Sequence, residues 1–324
     1  MYCGDLLGKA FLGSLEVFNV MQTQTKGLWL VLFTGLVSGV SIFLNKFAVA
    51  GFDPFSFAFL KNVVVAVLLL AVLLFVFRKN AFSGLTRKNW FQLAVLGLVG
   101  GSVAFLVYFY ALTQTSALNA GFLHKTLLFV FAVPLGALWL KEKLDKTFLA
   151  GAVLLLIGNF LVLSKFGGFN AADLLIVGAV ALWAIENAYA KKVLSELSGL
   201  QVAFGRMFFG ALFILVFLAA TNNVPNVLAM PAVQWQWVGV TAGLLFLFVF
   251  SYYSGLKWVP VSKANALLCI GQVVTVLLSI VFLGRTIGAL EAAGFLTLLA
   301  GVALVGYSVW IYPQRQKSGL AALA

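Results

Sequence analysis

The sequence predicts an all-α membrane protein of ten transmembrane helices, arranged as two inverted five-helix repeats with both termini cytoplasmic. Three observations carry that prediction. Of the 324 residues, 63% are hydrophobic and 9% charged, against roughly 45–50% and about 25% in soluble domains. With a mean hydropathy of +1.09 the chain has too little polar surface to be solvated by water. Second, the apolar residues fall into ten continuous stretches; third, the two halves of the chain match each other at a fixed offset.

A crossing of the roughly 30 Å hydrocarbon core takes about 20 helical residues. Backbone groups there must bond within their own segment, which favours helices. Alternating ten-residue strands, the mark of a membrane barrel, are not seen. Approximately, the spans cover 28–46, 55–77, 91–112, 117–140, 147–164, 172–190, 200–220, 235–256, 262–283 and 288–311. Span one follows Lys9 and Lys26 and ends at Lys46. Arg78, Lys79, Arg87 and Lys88 separate spans two and three, a short uncharged connector leads into span four, and Lys141, Lys143 and Lys146 follow it. Lys165 separates five from six; Lys191 and Lys192 six from seven; Lys257 and Lys263 eight from nine; Arg285 nine from ten; Arg315 and Lys317 end the chain. Alternating sides then leaves only Lys46, Lys165 and Arg285 opposite the main basic side, which the positive-inside rule makes cytoplasmic.

The net charge of +12 is therefore a record of topology. It excludes nucleic acid as a partner, because the charge is spread over small loops with no aromatic platform or DNA-binding motif. Cys3 and Cys269 are too far apart in sequence, and too few, for a disulfide scaffold or a four-thiolate metal site. Residues 1–26 form an N-terminal extension. Either they make a surface amphipathic helix or translation starts at Met21; a cleaved signal peptide is not indicated.

Self-comparison exposes the repeat. Phe57-Ala58-Phe59-Leu60-Lys61 matches Val202-Ala203-Phe204-Gly205-Arg206 at an offset of 145, which also sets Lys46 on Lys191. Tyr110-Ala111-Leu112 answers Ser254-Gly255-Leu256 at 144, and Gly151 with Gly158 answers Gly294 with Gly301 at 143. Five spans per half turn the second half upside down relative to the first, as in many secondary transporters. The repeats are 27–165 and 166–311, with 312–324 as a C-terminal tail.

The stretch Tyr110 to Ala120, Pro134, Leu140-Lys141-Glu142-Lys143-Leu144 and the Gly151/Gly158 pair resembles the third-to-fifth-helix signature of the EamA-like family in the drug/metabolite transporter superfamily. Gly255 to Ala264 with Gly294 and Gly301 resembles its second copy, and Phe52-Asp53-Pro54 leading to Lys61 resembles the start of its second helix. This covers about residues 27–311. The resemblance implies a ten-helix inner- or plasma-membrane carrier, usually an exporter of amino acids, metabolites or drugs. Two departures stand out: Lys61 where the family often has Arg, and Arg285 where it has a second Glu matching Glu142.

Charges within the spans are functional candidates, because each costs about 2.5–3.5 kcal/mol at a helix centre. At 1.5 Å per residue, Glu186 and Arg206 lie at one depth on successive helices, roughly 20 Å below the outer edge. They are expected to pair, either as a structural ion pair or with Glu186 carrying a coupling proton. Lys61 and Lys125 lie roughly 9 and 12 Å deep on the opposite side, with no acid to match. Lys61 either snorkels to the interface or joins Lys125 in a cationic pocket for a carboxylate or phosphate. Lys125 otherwise bonds backbone carbonyls or Glu186. His124 diverges from Lys125 by about 100° and is a packing residue or a proton relay. Gln272 and Asn159 are polar at mid-depth, and Tyr110, Trp183 and Tyr253 are candidates for an aromatic wall. Gly35-x3-Gly39, Gly97-x3-Gly101 and Gly239-x3-Gly243 suit close helix contact.

Neither HExxH, a P-loop nor GxSxG occurs, so neither an enzyme nor a nucleotide-driven pump is expected. No cofactor or metal is implied. The expected function is alternating-access export of a small organic metabolite, an amino acid or other carboxylated solute, across the cytoplasmic membrane, with substrate contacts from Lys125, His124, Gln272, Tyr110 and Trp183. An antiporter of phosphorylated or other anionic metabolites is the alternative. A non-transporting scaffold or sensor is a third reading, distinguished by a core without a polar central cavity. The expected partners are a small-molecule substrate, the lipid bilayer and a second copy of the chain in a homodimer.

Overall fold

The computed structural model describes residues 3–162, 170–224, 227 and 231–321. In chain order the helices are α1 (Cys3–Val49), α2 (Pro54–Phe77), α3 (Arg87–Gln114), α4 (Ala117–Leu138) and α5 (Lys146–Val162). The second half comprises α6 (Ala171–Val193), α7 (Gly199–Ala220), α8 (Ala232–Leu256), α9 (Val261–Leu283) and α10 (Ala289–Ala321). Among the described residues nine of these are long and apolar enough to cross a membrane, and α5 is the shorter apolar helix. Lys165 and the repeat boundary expected beside it lie outside the described residues, as do the side chains of 1–21 and 312–324.

Helix starts follow local chemistry. Asp53 accepts from the Ser56 N–H at 2.7 Å with Pro54 in the first turn, and Ser116 accepts from the Asn119 N–H at 3.0 Å. Thr86 with Asn89, Asn170 with Asp173 and Ser198 with Gln201 form reciprocal capping boxes, satisfying N–H groups that a helix leaves without partners. Gly284 ends α9 at φ +63°, a left-handed position suited to glycine.

Helix pairings come in related sets. Alongside α1 with α8 and α1 with α9 stand α6 with α3 and α6 with α4; α2 with α8 is answered by α7 with α3. Three pairs, α2 with α7, α4 with α9 and α5 with α10, map onto themselves when the halves are exchanged. That is the contact pattern of a pseudo-twofold axis relating the repeats. It extends to side chains: Lys46 Nζ donates to the Leu112 carbonyl at 2.9 Å, and its counterpart Lys191 donates to Leu256, Lys257 and Val259 carbonyls at 2.7, 3.1 and 2.8 Å. Each lysine covers the carbonyl end of the third helix of its own half.

Loops gather at two ends as alternation requires. The first turn of α3 meets the loop after α6 through Lys88 and Glu196 at 2.6 Å, and Lys257 reaches the Leu197 carbonyl at 3.1 Å. At the other end Gln234 donates to the Gly51 carbonyl at 2.9 Å and Thr115 to Asp173 at 2.8 Å. On the basic end, the loop after α4 is clamped to α9 and α10. Glu142 accepts from the Ser262 N–H at 3.0 Å, while Asp145 accepts from Lys263 Nζ at 2.8 Å and Ser308 Oγ at 2.7 Å.

Helix α3 contains a π-helical turn over Gly97–Val103, where the Ala104 N–H reaches back to the Val99 carbonyl. Glycine lets α7 close on it: a Cβ on Gly97 would lie 2.8 Å from the Gly210 nitrogen. Gly35 and Gly39 admit α9 in the same way, whereas Gly239 and Gly243 face open space among the described residues. Their spacing suits packing, but their face of α8 is turned away from the bundle. Helix α9 tightens at mid-length, with the Cys269, Gly271 and Gln272 N–H groups bonding three residues back at 3.1, 3.0 and 3.0 Å.

The seam between α5 and α10 gives a stability test. A Cβ on Gly158 would lie 2.7 Å from the Leu298 nitrogen and 2.9 Å from the Gly294 carbonyl, both backbone atoms. Gly158→Val is expected to cost about 1–3 kcal/mol in thermal unfolding of purified protein, while Gly239→Val stays within about 0.5 kcal/mol of wild type. A second test concerns Asp145. Partial burial pushes its carboxyl up, but hydrogen bonds from Lys263, Ser308 and the Phe148 N–H, with the lysine charge, outweigh that and hold it below the ordinary 3.8. A depressed folded value contributes stability above 3.8 that is lost as pH falls through the folded value. Asp145→Asn should therefore melt lower than wild type at neutral pH, and the gap should close as the pH is lowered below 3.8.

Candidate functional site

A cavity lies between the halves, bounded by α1, α2, α3 and α4 of the first and α6, α7 and α8 of the second. Helices α5 and α10 do not line it; they pair with each other outside. Its wall holds Lys61, Glu186, Arg206 and His124, most of the intramembrane ionisable groups that the sequence singles out.

Lys61 does not snorkel. It is 1% exposed, donates to Asn45 Oδ1 at 2.6 Å, and stands 5.1 Å from the Phe57 ring centroid and 4.9 Å from that of Phe109. The cause is the face it occupies: Phe57, Lys61, Val65, Leu69 and Leu73, spaced by four, are all buried. Because α2 is apolar all round, its sequence does not reveal which face packs.

Across the cavity Glu186 and Arg206 are brought together, with Oε2 to Nε at 3.7 Å. Glu186 Oε1 accepts from Tyr253 Oη at 2.6 Å, and Arg206 donates to the Gly100 carbonyl at 2.8 Å while its guanidinium lies 5.2 Å from the Phe105 centroid. The same Gly100 oxygen accepts from Trp183 Nε1 at 2.9 Å. A Cβ on Gly100 would stand 2.6 Å from the Glu186 side chain, so the bare glycine of the π turn makes room for the carboxylate.

Trp183 anchors the aromatic wall. It stacks on His124 at 4.8 Å and 27°, and meets Tyr108 at 5.1 Å and Phe105 edge-on at 5.7 Å. His124 Nδ1 and Tyr108 Oη are buried without a hydrogen-bond partner among the described residues. Towards the basic end, Asn265 Oδ1 accepts from Asn187 at 3.0 Å and Tyr252 at 3.1 Å, and Asn265 Nδ2 donates to the Val261 carbonyl at 2.9 Å. With the Glu186–Tyr253 bond this network links α6, α8 and α9 beside the cavity.

Three expected substrate residues lie off the wall. Lys125 is fully buried behind α1, donating to Ser38 Oγ and packed against Gly271; it bonds neither Glu186 nor the cavity. Gln272 sits beside Gly121, with neither amide atom partnered among the described residues. Tyr110 is 44% exposed and stacks on Phe55 at 6.0 Å. It is two residues from Tyr108, about 200° round the helix, so the two cannot share a face. Asn159 bonds the Leu155 carbonyl of its own helix at 2.8 Å.

Residues the sequence reading passed over are Asn45, Phe105, Tyr108, Phe109, Tyr252 and the Asn187–Asn265 pair. A signal for some was available. The offset of 144 sets Tyr108-Phe109 on Tyr252-Tyr253, and all four line the cavity.

The ion pair is open to direct measurement. Removing one partner of a buried pair leaves the other charge uncompensated, at about 3–5 kcal/mol. Glu186→Gln is expected to lower unfolding stability on that scale, and adding Arg206→Met to recover most of the loss. Equal destabilisation by the single and double variants would contradict the coupling.

Comparison with known proteins places the chain. The EamA-like transporter family matches twice, over residues 25–164 and 170–307. The chain is 26% identical over 298 residues to the uncharacterized transporter YetK of Bacillus subtilis, covering 88% of each. It is 22% identical to the uncharacterized transporter YyaM of the same organism, covering 82% of this chain and 89% of the other. An uncharacterized transporter of Archaeoglobus fulgidus is 30% identical over 51% of this chain and 57% of its own. A solved structure, described only as the crystal structure of a protein, shares the fold with a TM-score of 0.65 at 18% identity, over 85% of this chain and 94% of that one. With both repeats matched, this multi-pass membrane chain belongs to the EamA-like transporter family.

Proposed function

We propose that the chain is a secondary carrier that exports a small carboxylated organic solute across the cytoplasmic membrane by alternating access, with both termini cytoplasmic. The observation that carries this reading is the cavity between two inverted repeats, with the buried Lys61 on its wall bonded to a neutral amide. Secondary carriers place their sites at such a repeat interface. The concentration of basic loops at one end supports the orientation. The network of Glu186, Tyr253, Asn187, Tyr252 and Asn265 joins α6, α8 and α9 at the cavity, and alternating access would rearrange it.

Glu186 is the proposed coupling group. It lines the cavity and holds together Tyr253 of α8 and Arg206 of α7. A proton on the carboxyl removes its charge, weakens its hold on Arg206 and loosens α6 from α7. Proton entry and solute movement then draw on the same contacts.

In proteoliposomes the purified protein is expected to accelerate carboxylate counterflow, and an imposed pH gradient to stimulate net uptake. Glu186→Gln should retain counterflow and lose the stimulation. Wild-type transport indifferent to the gradient removes proton coupling. No exchange above protein-free vesicles, for any solute that binds, removes the carrier reading.

A further inference from the structure

We propose that the cavity is built for a monoanion: an organic carboxylate with an apolar or aromatic body and no amino group. This rests on the carrier reading and narrows its solute. The lysine, arginine and carboxylic side chains on the described wall are Lys61, Arg206 and Glu186. Glu186 and Arg206 neutralise each other, and both Glu186 oxygens are engaged, one by Tyr253 Oη at 2.6 Å and one beside Arg206 Nε at 3.7 Å. Lys61 has no carboxylate among the described wall residues; its acceptor is the amide oxygen of Asn45. An ammonium has three donors, so most of its bonding capacity is turned to two ring faces and the cavity.

The wall thus carries one uncompensated positive charge in a medium where such a charge is costly. The missing anion is supplied by the ligand. The same wall holds two buried polar atoms without partners among the described residues, Tyr108 Oη and His124 Nδ1. Both line the same cavity and are suited to the oxygens of a carboxylic group.

An α-ammonium has no such welcome. A zwitterion needs an anionic partner, and the charge of Glu186, the carboxylate on the described wall, is already matched by Arg206 at 3.7 Å, with its other oxygen bonded by Tyr253. Aromatic rings attract cations, but Arg206 already lies over Phe105 and Lys61 over Phe57 and Phe109, and their charges repel a third cation. A phosphate monoester, with nearly two charges, calls for a second direct cation. Lys125 adds its field from behind Ser38 but does not reach the wall. Trp183, Phe105 and Phe248 supply the apolar surface for the body.

The probes are 3-phenylpropionate, phenylalanine and phenethylamine, which share a ring and chain length and differ in charge. Binding to the detergent-purified full chain is read by calorimetry and thermal shift. The anion is expected to bind at least about tenfold tighter than either amine. Lys61→Gln should erase that preference and Lys61→Arg retain it. Should Lys61→Gln fail to fold, Asn45→Asp serves: it gives Lys61 an internal carboxylate, and the preference for the anion should disappear. Phenylalanine or phenethylamine binding as tightly as the anion, no binding of any probe, or a preference unmoved by Asn45→Asp overturns the inference. Counterflow keeps the two readings apart. Exchange of phenylalanine without exchange of the anion overturns the monoanion while the carrier stands. Lys61-dependent binding of the anion with no exchange of any probe upholds the site and removes the carrier.

Discussion

The carbonyl oxygen of Gly100 joins the two repeats around the cavity. It sits in the π turn of α3 and accepts from Trp183 of α6 and Arg206 of α7 at once. In a water-free interior an indole N–H or guanidinium without an acceptor is expensive, so these bonds hold the two helices at one point of α3. The consequences spread outward: Trp183 orders the ring stack with His124 and Tyr108, and Arg206 fixes Glu186, which in turn receives Tyr253 of α8. Gly100 permits all of this because a side chain there would occupy the volume of the carboxylate.

Outside the cavity the twofold relation is kept; inside it is broken. Lys46 and Lys191 perform the same service at opposite ends of the molecule, and Gly158 meets Gly294 across the α5–α10 seam in reciprocal contact. Within the wall, Lys61 and Arg206 occupy equivalent positions, yet Arg206 faces a carboxylate where Lys61 faces an amide. The position equivalent to Glu186 is Ser41. Packing therefore follows the duplication, while the chemistry depends on where the copies have diverged. That divergence leaves one half with a neutral pair and the other with a bare cation.

Much of the fold was legible because its causes are local or periodic. Long apolar runs, basic connectors and a repeat offset are read directly along the chain. The Glu186–Arg206 contact was legible too, since depth along a helix is a matter of counting residues. Facing was not. Lys61, Lys125 and Tyr110 lie on helices whose apolar residues surround them on every side, so no amphipathic stripe tells cavity from core or lipid. Lys61 thus turned out buried on the wall, Lys125 buried behind it, and Tyr110 on the outer surface.

By itself the sequence determined that the chain lives in lipid, where its apolar spans lie, which loops share a side and that its halves are related by inversion. Hydropathy, charge and repetition are additive along a chain, and neighbours in space are not needed to evaluate them. Only the tertiary structure decided which buried charges share one cavity and which are left uncompensated there. That outcome depends on the rotation of each helix about its own axis. The rotation is set by inter-helix contacts, by the glycines that let α3 meet α7 and α1 meet α9 and by the single carbonyl that gathers Trp183 and Arg206.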